Sequence, residues 1–231
     1  MNRGEIKTEI FVRSGRDTTS AWLSNAYVNN WINQAQRWAG GYKPWPYTEG
    51  RAQTTYTTAN ETWSFEGYKA DSFRFIEIGG KRYQKLNFED YQIFKENQPA
   101  NTDRVYSNFG SLVYVNVAAG GDGTLVAYGQ YQPANITDDD TDTVFTPDGD
   151  EGNEAIIEEV VGKIANRESN PQEAINKHLI AKQSLDDLWT RIEDEQFAYQ
   201  TKNRGQYKWF DVIDRGRYGG YYNSFNRDRW Y

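Results

Sequence analysis

The sequence contains few of the side chains that carry enzymatic chemistry. Cysteine is absent and His178 is the one histidine, which excludes cysteine nucleophiles, disulfides and zinc sites built from thiolates or several histidines. His178 stands beside Leu179 in a stretch of helical periodicity, so we interpret it as a surface or partly packed residue. The GxSxG turn that presents a serine nucleophile is also absent. We therefore predict a protein that is not an enzyme and that binds no cofactor or metal.

Two loops resemble ligand sites only in part. Residues 120–124, GGDGT, lack the GxxxxGK[ST] pattern of a phosphate loop. A hairpin turn is the better interpretation. The aspartates of 138–142 and the stretch PDGDEGNE at 147–154 carry the oxygen ligands that calcium prefers, but neither matches the spacing of a calcium loop. We interpret them as a solvated acidic loop.

Charge is distributed unevenly along the chain, whose net charge is −7. Residues 136–159 contain ten acidic residues and no basic ones, whereas residues 202–231 contain seven basic and three acidic residues. These two segments are where we expect charge to serve function.

Aromatic residues are abundant, with 8 Trp, 17 Tyr and 11 Phe. Because Tyr, Trp and Arg are enriched at protein interfaces, this composition predicts a folded protein that completes its packing against partners. Apolar runs of the roughly 18 residues needed to cross a membrane are absent, and the N-terminus lacks the apolar core of a signal peptide. We expect no association with a membrane.

Apolar residues recur every three or four positions in four stretches, which is the period of an α-helix. The predicted helices are residues 4–13, 20–39, 152–167 and 171–200. We expect Gly40 and Gly41 to end the second helix, and Pro171 to occupy the first turn of the last. The apolar stripe of the last helix is formed by Ile175, Leu179, Leu185, Leu188, Trp189 and Ile192.

The middle of the chain has the shorter apolar and aromatic runs of β-strands. The predicted strands are residues 51–58, 62–65, 72–78, 81–86, 104–109, 111–117 and 124–131. Gly79 and Gly80 form the turn of a hairpin. Asn87 is positioned to cap a short helix that Pro99 closes.

These elements predict an α+β protein, with a discontinuous α-helical bundle domain, an inserted antiparallel β-rich domain and an extended C-terminal arm. The bundle is built from the N- and C-terminal helices. The predicted boundaries are 1–50 for the first part of the helical domain, 51–135 for the β-rich domain, 136–150 for the acidic loop, 151–201 for the second part of the helical domain and 202–231 for the arm.

The arm combines arginines with nine aromatic residues and has no sustained period. Protein docking is the best interpretation of this composition, because solvated tails are poor in aromatic residues. Binding of single-stranded nucleic acid by stacking and phosphate contact is an alternative. The expected docking residues are Tyr207, Trp209, Phe210, Arg215, Arg217, Tyr218, Tyr221, Tyr222, Arg227, Arg229, Trp230 and Tyr231.

Four stretches resemble the head-to-tail adaptor, or neck, proteins of tailed bacteriophages. They are QAQRWAGGYKPWPYTEGR (34–51), SFRFIEIGGKRYQKLNFEDY (72–91), EGNEAIIEEV (151–160) and RIEDEQFAYQTKNRGQYKWFDVID (191–214). The resemblance extends over most of the chain and rests on the local sequence of these stretches and on their order.

The resemblance implies a non-enzymatic structural protein of the virion, located at the head–tail interface and made in the cytoplasm of the host bacterium. Such adaptors form a ring, commonly a dodecamer, that joins the portal protein to a tail or nozzle protein. Double-stranded DNA passes transiently and non-specifically through the lumen. The C-terminal segment grips the portal, which assigns the aromatic arm of this chain to portal docking.

An acidic lumen would repel DNA phosphates and let the genome slide. We therefore expect the carboxylates that face the lumen to include Asp138, Asp139, Asp140, Asp142, Glu154, Glu158 and Glu159. Two other functions stay open at this point. Exposed Trp and Tyr in 42–68 would suit a carbohydrate-binding or receptor-binding β module of a phage tail, and the basic arm would suit a nucleic-acid-binding protein.

Overall fold

The structure of the chain is a computed structural model. The described residues are 1–16, 22–146 and 150–204, with the side chains of residue 70 and of residues 196–204 outside the description. The chain divides into two units, Met1–Asp186 and Asp187–Tyr231. The docking residues predicted in the arm, from Tyr207 to Tyr231, all lie outside the described residues.

The described part of the chain is a mixed α+β structure with five helices and seven strands. The helices are α1 (Arg3–Ser14), α2 (Asn25–Tyr42), α3 (Phe88–Asn97), α4 (Glu151–Arg167) and α5 (Pro171–Arg204). The strands are β1 (Glu49–Tyr56), β2 (Thr62–Trp63), β3 (Phe75–Ile78), β4 (Lys81–Lys85), β5 (Val105–Phe109), β6 (Leu112–Val115) and β7 (Gly123–Gln130). The α+β class predicted from the sequence is confirmed.

The seven strands form one sheet in the order β1-β7-β3-β4-β5-β6-β2. The two edge strands are neighbours along the chain, joined by residues 57–61, so the sheet has to curl until its edges approach. The rings of Tyr56 on β1 and Trp63 on β2 meet there at 4.9 Å between centroids. The hairpin predicted at Gly79 and Gly80 forms between β3 and β4, and both glycines have positive φ.

The prediction of a wholly antiparallel sheet is wrong at one pair, because β4 and β5 run parallel. The helix α3 lies between them in the chain and packs against β5. A parallel pair needs such a crossover, since a tight turn can join only antiparallel strands. Asn87 caps α3 as predicted, its side chain accepting the backbone N–H of Asp90 at 2.8 Å.

The inner face of the curled sheet carries the core of the β-rich region. Its members alternate along the strands, as the two-residue period of a strand requires. They include four aromatic side chains that are almost fully buried, Tyr56, Phe73, Tyr83 and Tyr106. Because tyrosine supplies so much of this core, polar hydroxyls are buried with it. The Tyr106 hydroxyl donates to the carbonyl oxygen of Phe73 at 3.2 Å.

The helices α1 and α2 pack against α4, although more than a hundred residues separate each of them from it along the chain. Ile6 and Ile10 of α1 and Val28 and Ile32 of α2 are fully buried. Asn2 starts α1 with a reciprocal capping box to Glu5. The apolar periodicity of the sequence therefore identified the buried face of α1.

The prediction that α2 ends at its two glycines is wrong, because the helix continues through them to Tyr42. The reason is packing. A Cβ atom at Gly40 would lie 2.5 Å from Cγ of Pro133, so the missing side chain makes room for the proline ring. Gly41 faces open space apart from the amino group of Lys69.

The apolar stripe predicted along α5 is divided between two environments. Leu185 is buried, whereas Ile175 and Leu179 are 55% and 56% exposed. In its first turns the helix contacts α4 through a different face, where Ala174 and Lys177 pack over Gly162. The apolar residues of these turns are therefore left on the outside.

We expect Gly40→Ala to destabilise the protein by about 1–2 kcal/mol, because overpacking against Pro133 outweighs the gain in helix propensity. Gly41→Ala is the matched control, and it should stabilise the protein by roughly 0.5–1 kcal/mol. Urea unfolding of both variants measures the difference. A Gly40→Ala variant as stable as Gly41→Ala would contradict the assigned packing.

Candidate interaction surfaces

The acidic segment before α4 is held against α1 by a pair of cations. Arg3 Nη2 lies 2.7 Å from Oδ1 of Asp139, and Lys7 Nζ lies 2.7 Å from Oδ2 of the same carboxylate. Hydrogen bonds from Lys7 and Arg3 hold the pKa of Asp139 below its ordinary value. One of the carboxylates predicted to face a lumen is thus paired with two cations of its own chain.

The backbone of this segment is anchored as well. Arg3, itself buried, donates from Nη1 to the carbonyl oxygen of Ile136 at 2.6 Å. Asn33 of α2 accepts the backbone N–H of Ile136 at 2.8 Å, and Gln36 donates to the carbonyl oxygen of Ala134 at 2.9 Å. These contacts fix the described part of the acidic loop along α1 and α2.

Glu158 of α4 is buried and bridges two other helices. Its Oε1 accepts from Nη1 of Arg13 on α1 at 2.8 Å, and its Oε2 lies 2.8 Å from Nζ of Lys177 on α5. Arg13 also pairs with Glu154, and that hydrogen bond raises the pKa of the arginine. Because a buried charge is tolerated only when it is paired, this carboxylate ties α1, α4 and α5 together.

Glu159 and His178 form a second link between α4 and α5. His178 Nδ1 lies 2.7 Å from Oε2 of Glu159, and the imidazole packs 5.3 Å from the ring of Trp38 on α2. Lys163 lies 3.9 Å from the other oxygen of Glu159. The histidine is therefore partly packed in an interhelical contact, as its position in the sequence indicated.

The seven carboxylates predicted to line a lumen fall into two groups. Asp138, Asp140 and Asp142 are exposed. The side chains that make ion pairs within the chain are Asp139, Glu154, Glu158 and Glu159. The lumen assignment stays a prediction, and the exposed group is the one whose charge is directed to solvent.

The large rings of 42–68 are mostly turned inward. Trp45, Tyr56 and Trp63 are buried. Trp45 donates from Nε1 to the carbonyl oxygen of Ala39 at 2.8 Å, and Tyr42 donates to Asp186 at 3.1 Å. A sugar ring stacks on an exposed aromatic face. The buried rings of Trp45, Tyr56 and Trp63 therefore do not support the carbohydrate-binding alternative.

A cleft of about 640 Å³ lies beside the end of α2 and carries three cations, Lys43, Lys69 and Arg74. Lys43 pairs with Asp186 at 3.1 Å and Arg74 pairs with Glu49 at 2.5 Å. Lys69 reaches the carbonyl oxygen of Gly40 at 3.4 Å, near the end of the helix, and burial lowers the pKa of its amino group. The cations of this cleft are engaged in holding the fold.

Between the exposed Glu173 and Asp187, the exposed side chains of α5 are uncharged. Ile175, Leu179 and Ile180 are 55%, 56% and 47% exposed. The other exposed residues between 174 and 186 are Asn176 and Gln183. Helix faces that stay in water usually carry charged residues. The lack of charge in this stretch was therefore visible in the sequence, although apolar periodicity alone assigned its apolar residues to the core.

The described residues thus form a helical layer braced by ion pairs, a curled sheet filled by aromatic rings, and an exposed apolar helix face. Within 1–16, 22–146 and 150–204 there is no group of three or more metal-binding side chains. None of the helices described there is both long enough and apolar enough to cross a membrane.

The model of the SU10 adaptor protein family matches residues 1–206. Since this is most of the chain, the protein belongs to that family of phage head–tail adaptors, and the resemblance seen in the sequence is confirmed. No curated protein matches the chain. Membership makes it a structural phage adaptor of the virion that associates with portal and tail components.

We expect Glu158→Gln to destabilise the protein by about 2–4 kcal/mol, because it leaves Arg13 and Lys177 facing a neutral amide in a buried contact. Glu154→Gln should cost less than about 1 kcal/mol, since its carboxylate is 40% exposed. Chemical unfolding at neutral pH measures both changes. Equal losses in the two variants would show that Glu158 does not bridge the helices.

Proposed function

We propose that the protein forms a ring, of dodecameric size, that connects the portal to the tail or nozzle and lets double-stranded DNA pass through its lumen. The observation that carries this proposal is the family match over residues 1–206. The exposed apolar face of α5 supports it, because a protein that assembles needs such a surface. Synthesis in the host cytoplasm belongs to the same proposal.

The proposed domain organisation follows the predicted boundaries. Residues 1–50 and 151–201 form a discontinuous helical bundle, and residues 51–135 form a β-rich domain inserted between its halves. The packing of α1 and α2 against α4 supports this division. The insertion would let one rigid helical part mediate assembly while the β-rich part contacts a tail component.

The lumen is proposed to be lined by the exposed carboxylates of the anchored acidic segment, Asp138, Asp140 and Asp142. The pair that Asp139 makes with Arg3 and Lys7 supports this role, since it fixes the backbone while its neighbours stay exposed. Fixed negative charges beside DNA repel the nearby phosphates. They also offer no cations that could replace the counterions of DNA, which is the usual source of its affinity for proteins. DNA would therefore slide past without adhering.

We expect virions carrying Asp138→Lys, Asp140→Lys and Asp142→Lys together to release DNA several-fold more slowly than the wild type, because lysines attract the phosphates. The matched control places lysine at three exposed carboxylates of the β-rich region, Glu66, Glu89 and Glu96. Release is followed by the fluorescence of a DNA-binding dye. Equal release rates in the two triple variants would exclude a lumenal position for the segment.

Residues 202–231 are proposed to dock on the portal through their aromatic and arginine side chains. Arginine and aromatic residues are the usual hot spots of protein interfaces. The family match ends at residue 206, just after α5 ends at Arg204. The docking segment is therefore expected to be the part that varies with the portal it recognises.

We expect deletion of 205–231 to leave thermal unfolding nearly unchanged and to weaken co-sedimentation with portal rings by at least about tenfold, since one aromatic hot spot already contributes about 2 kcal/mol. A second variant, with serine at Trp209, Tyr222 and Trp230, keeps every arginine and should lose binding too. Unchanged portal binding would contradict the proposal. If the deletion instead removed salt-dependent DNA binding, the arm would be a nucleic-acid-binding segment.

A further inference from the structure

The strand β1 is an edge of the curled sheet, so only one of its two sides has a partner strand among the described residues. On that side its eight residues pair with β7 without interruption, from Glu49 opposite Gln130 to Tyr56 opposite Gly123. Natural sheets protect their edges by short strands, bulges, prolines or lysines. The other edge strand, β2, is protected because it has two residues, whereas β1 carries no bulge, proline or lysine.

The hydrogen bonds beside β1 show which of its backbone groups turn outward. The N–H of Tyr131 donates to the carbonyl oxygen of Thr48 at 2.9 Å, so the residue before β1 faces β7. Because backbone groups alternate in direction along a strand, every second residue from Thr48 also faces β7. The residues between them turn both N–H and C=O away, and they are Glu49, Arg51, Gln53 and Thr55. Within the described residues no backbone hydrogen bond joins these outward groups to another segment.

This edge of the sheet is also open to solvent. The side chains of the four residues that turn outward are exposed. On the core face of β1, Ala52 and Tyr56 are buried, whereas Gly50 and Thr54 are half-buried although they point the same way. A further strand beside β1 would pair four N–H and four C=O groups and would cover the two half-buried residues. The edge therefore has the properties of a site for strand addition.

We infer that β1 receives residues 207–214 of a neighbouring copy as an added strand. This segment, YKWFDVID, lies outside the described residues and begins three residues after the end of α5 at Arg204. It combines aromatic and β-branched residues without glycine or proline, which is the composition of a strand. An extended peptide gains affinity from the main-chain hydrogen bonds of an exposed edge. The inference rests on the ring proposed above, in which each copy has a neighbour to receive its segment.

The charges of the edge favour this segment. Arg51 lies in the first half of β1, is exposed and forms no ion pair with another described residue. The carboxylate of β1 itself, that of Glu49, is already paired with Arg74. The segment supplies Asp211, and a pair of opposite charges across two strands stabilises their pairing. Duplex DNA offers no extended chain of alternating N–H and C=O groups, so a peptide suits this edge better.

The alternation of the segment fits both faces of the edge. Successive side chains of a strand point to opposite faces, so Phe210 and Val212 point away from the face that carries Asp211. When Asp211 lies beside Arg51, these two apolar side chains therefore lie over the half-buried positions of the core face. The aromatic residues at 207 and 209 then lie on the outer face, which already carries a stacked aromatic pair on β3 and β7.

The pairing would divide the C-terminal arm between two partners. Residues 207–214 would bind the neighbouring copy, and residues 215–231, which contain four arginines, would continue to the portal. A strand of one copy on the edge of another is a heterologous contact, and such contacts close into rings when the rotation between copies permits. The family match ends at residue 206, so it assigns neither role.

Photo-crosslinking in assembled virions tests the pairing on the full-length chain. Gln53, which turns outward near the middle of the edge, is replaced by the photoreactive residue benzoylphenylalanine. After irradiation we expect covalent multimers of the chain on a denaturing gel, with cross-linked peptides that map to residues 207–214. The matched control carries the same photoreactive residue in place of Gln84, which is exposed on β4, a strand with partners on both sides. We expect no adduct with residues 207–214 from that position.

A proline variant tests whether backbone groups mediate the pairing. Gln53→Pro removes an N–H that points to the unpaired side of β1, where an edge strand tolerates proline. With benzoylphenylalanine in place of Thr55, we expect Gln53→Pro to reduce cross-linking at least about fivefold, the loss expected for one backbone hydrogen bond. Gln53→Thr keeps the N–H and should cross-link normally. Thermal unfolding verifies that both variants fold. A Gln53→Pro variant that does not fold would place this N–H in the ladder with β7 and would overturn the inference.

Each other product of the probe at position 53 would overturn the inference as well. Adducts with the portal, a tail protein, DNA or another segment of this chain would identify a different occupant of the edge. A product of monomer size joined to residues 207–214 would show that the arm folds back on its own copy. No product at all would show that the edge stays open in the virion.

These failures differ from a failure of the proposed function. If the multimers form and the wild-type chain does not co-sediment with portal rings, then the proposed portal connection fails while the pairing between copies stands. If electron microscopy of the virions shows the ring and the probe gives no cross-link to residues 207–214, then the pairing fails while the ring stands.

Discussion

The helical part of this protein depends on the ion pairs of one buried carboxylate, that of Glu158. It is buried on α4 and forms ion pairs with Arg13 of α1 and Lys177 of α5, so a single side chain holds α1 against two helices that lie far later in the chain. Burying a charge costs several kcal/mol unless it is paired. The pairing therefore constrains where α1 and α5 can lie, and it leaves their opposite faces exposed.

The acidic character of the chain consequently has two uses. Asp139 and Glu159 form ion pairs with other elements of the chain, and these pairs fix the acidic segment on α1 and join α4 to α5. Asp138 and Asp140, next to an anchored residue, stay exposed. In the proposed lumen the paired group would hold the exposed group in position.

Much of the fold could be predicted from residue spacing. The period of the apolar residues located α1 and α4, the Gly79-Gly80 turn located a hairpin, and Asn87 located the start of α3. Local rules succeed there because a helix, a tight turn and a cap are determined by neighbouring residues. The family could be recognised as well, since the sequence resembles it over most of the chain.

The sequence by itself therefore determined the types of the elements and the class of protein. Only the tertiary structure decided which glycines break a helix and which admit a neighbour. Gly40 continues α2 because Pro133, distant in sequence, packs against it. In the same way, Ile175 and Leu179 have the periodicity of core residues and are exposed. The side of a helix that becomes buried is chosen by contacts between helices, such as those of Glu158 with Arg13 and Lys177, and these form only when the helices pack together.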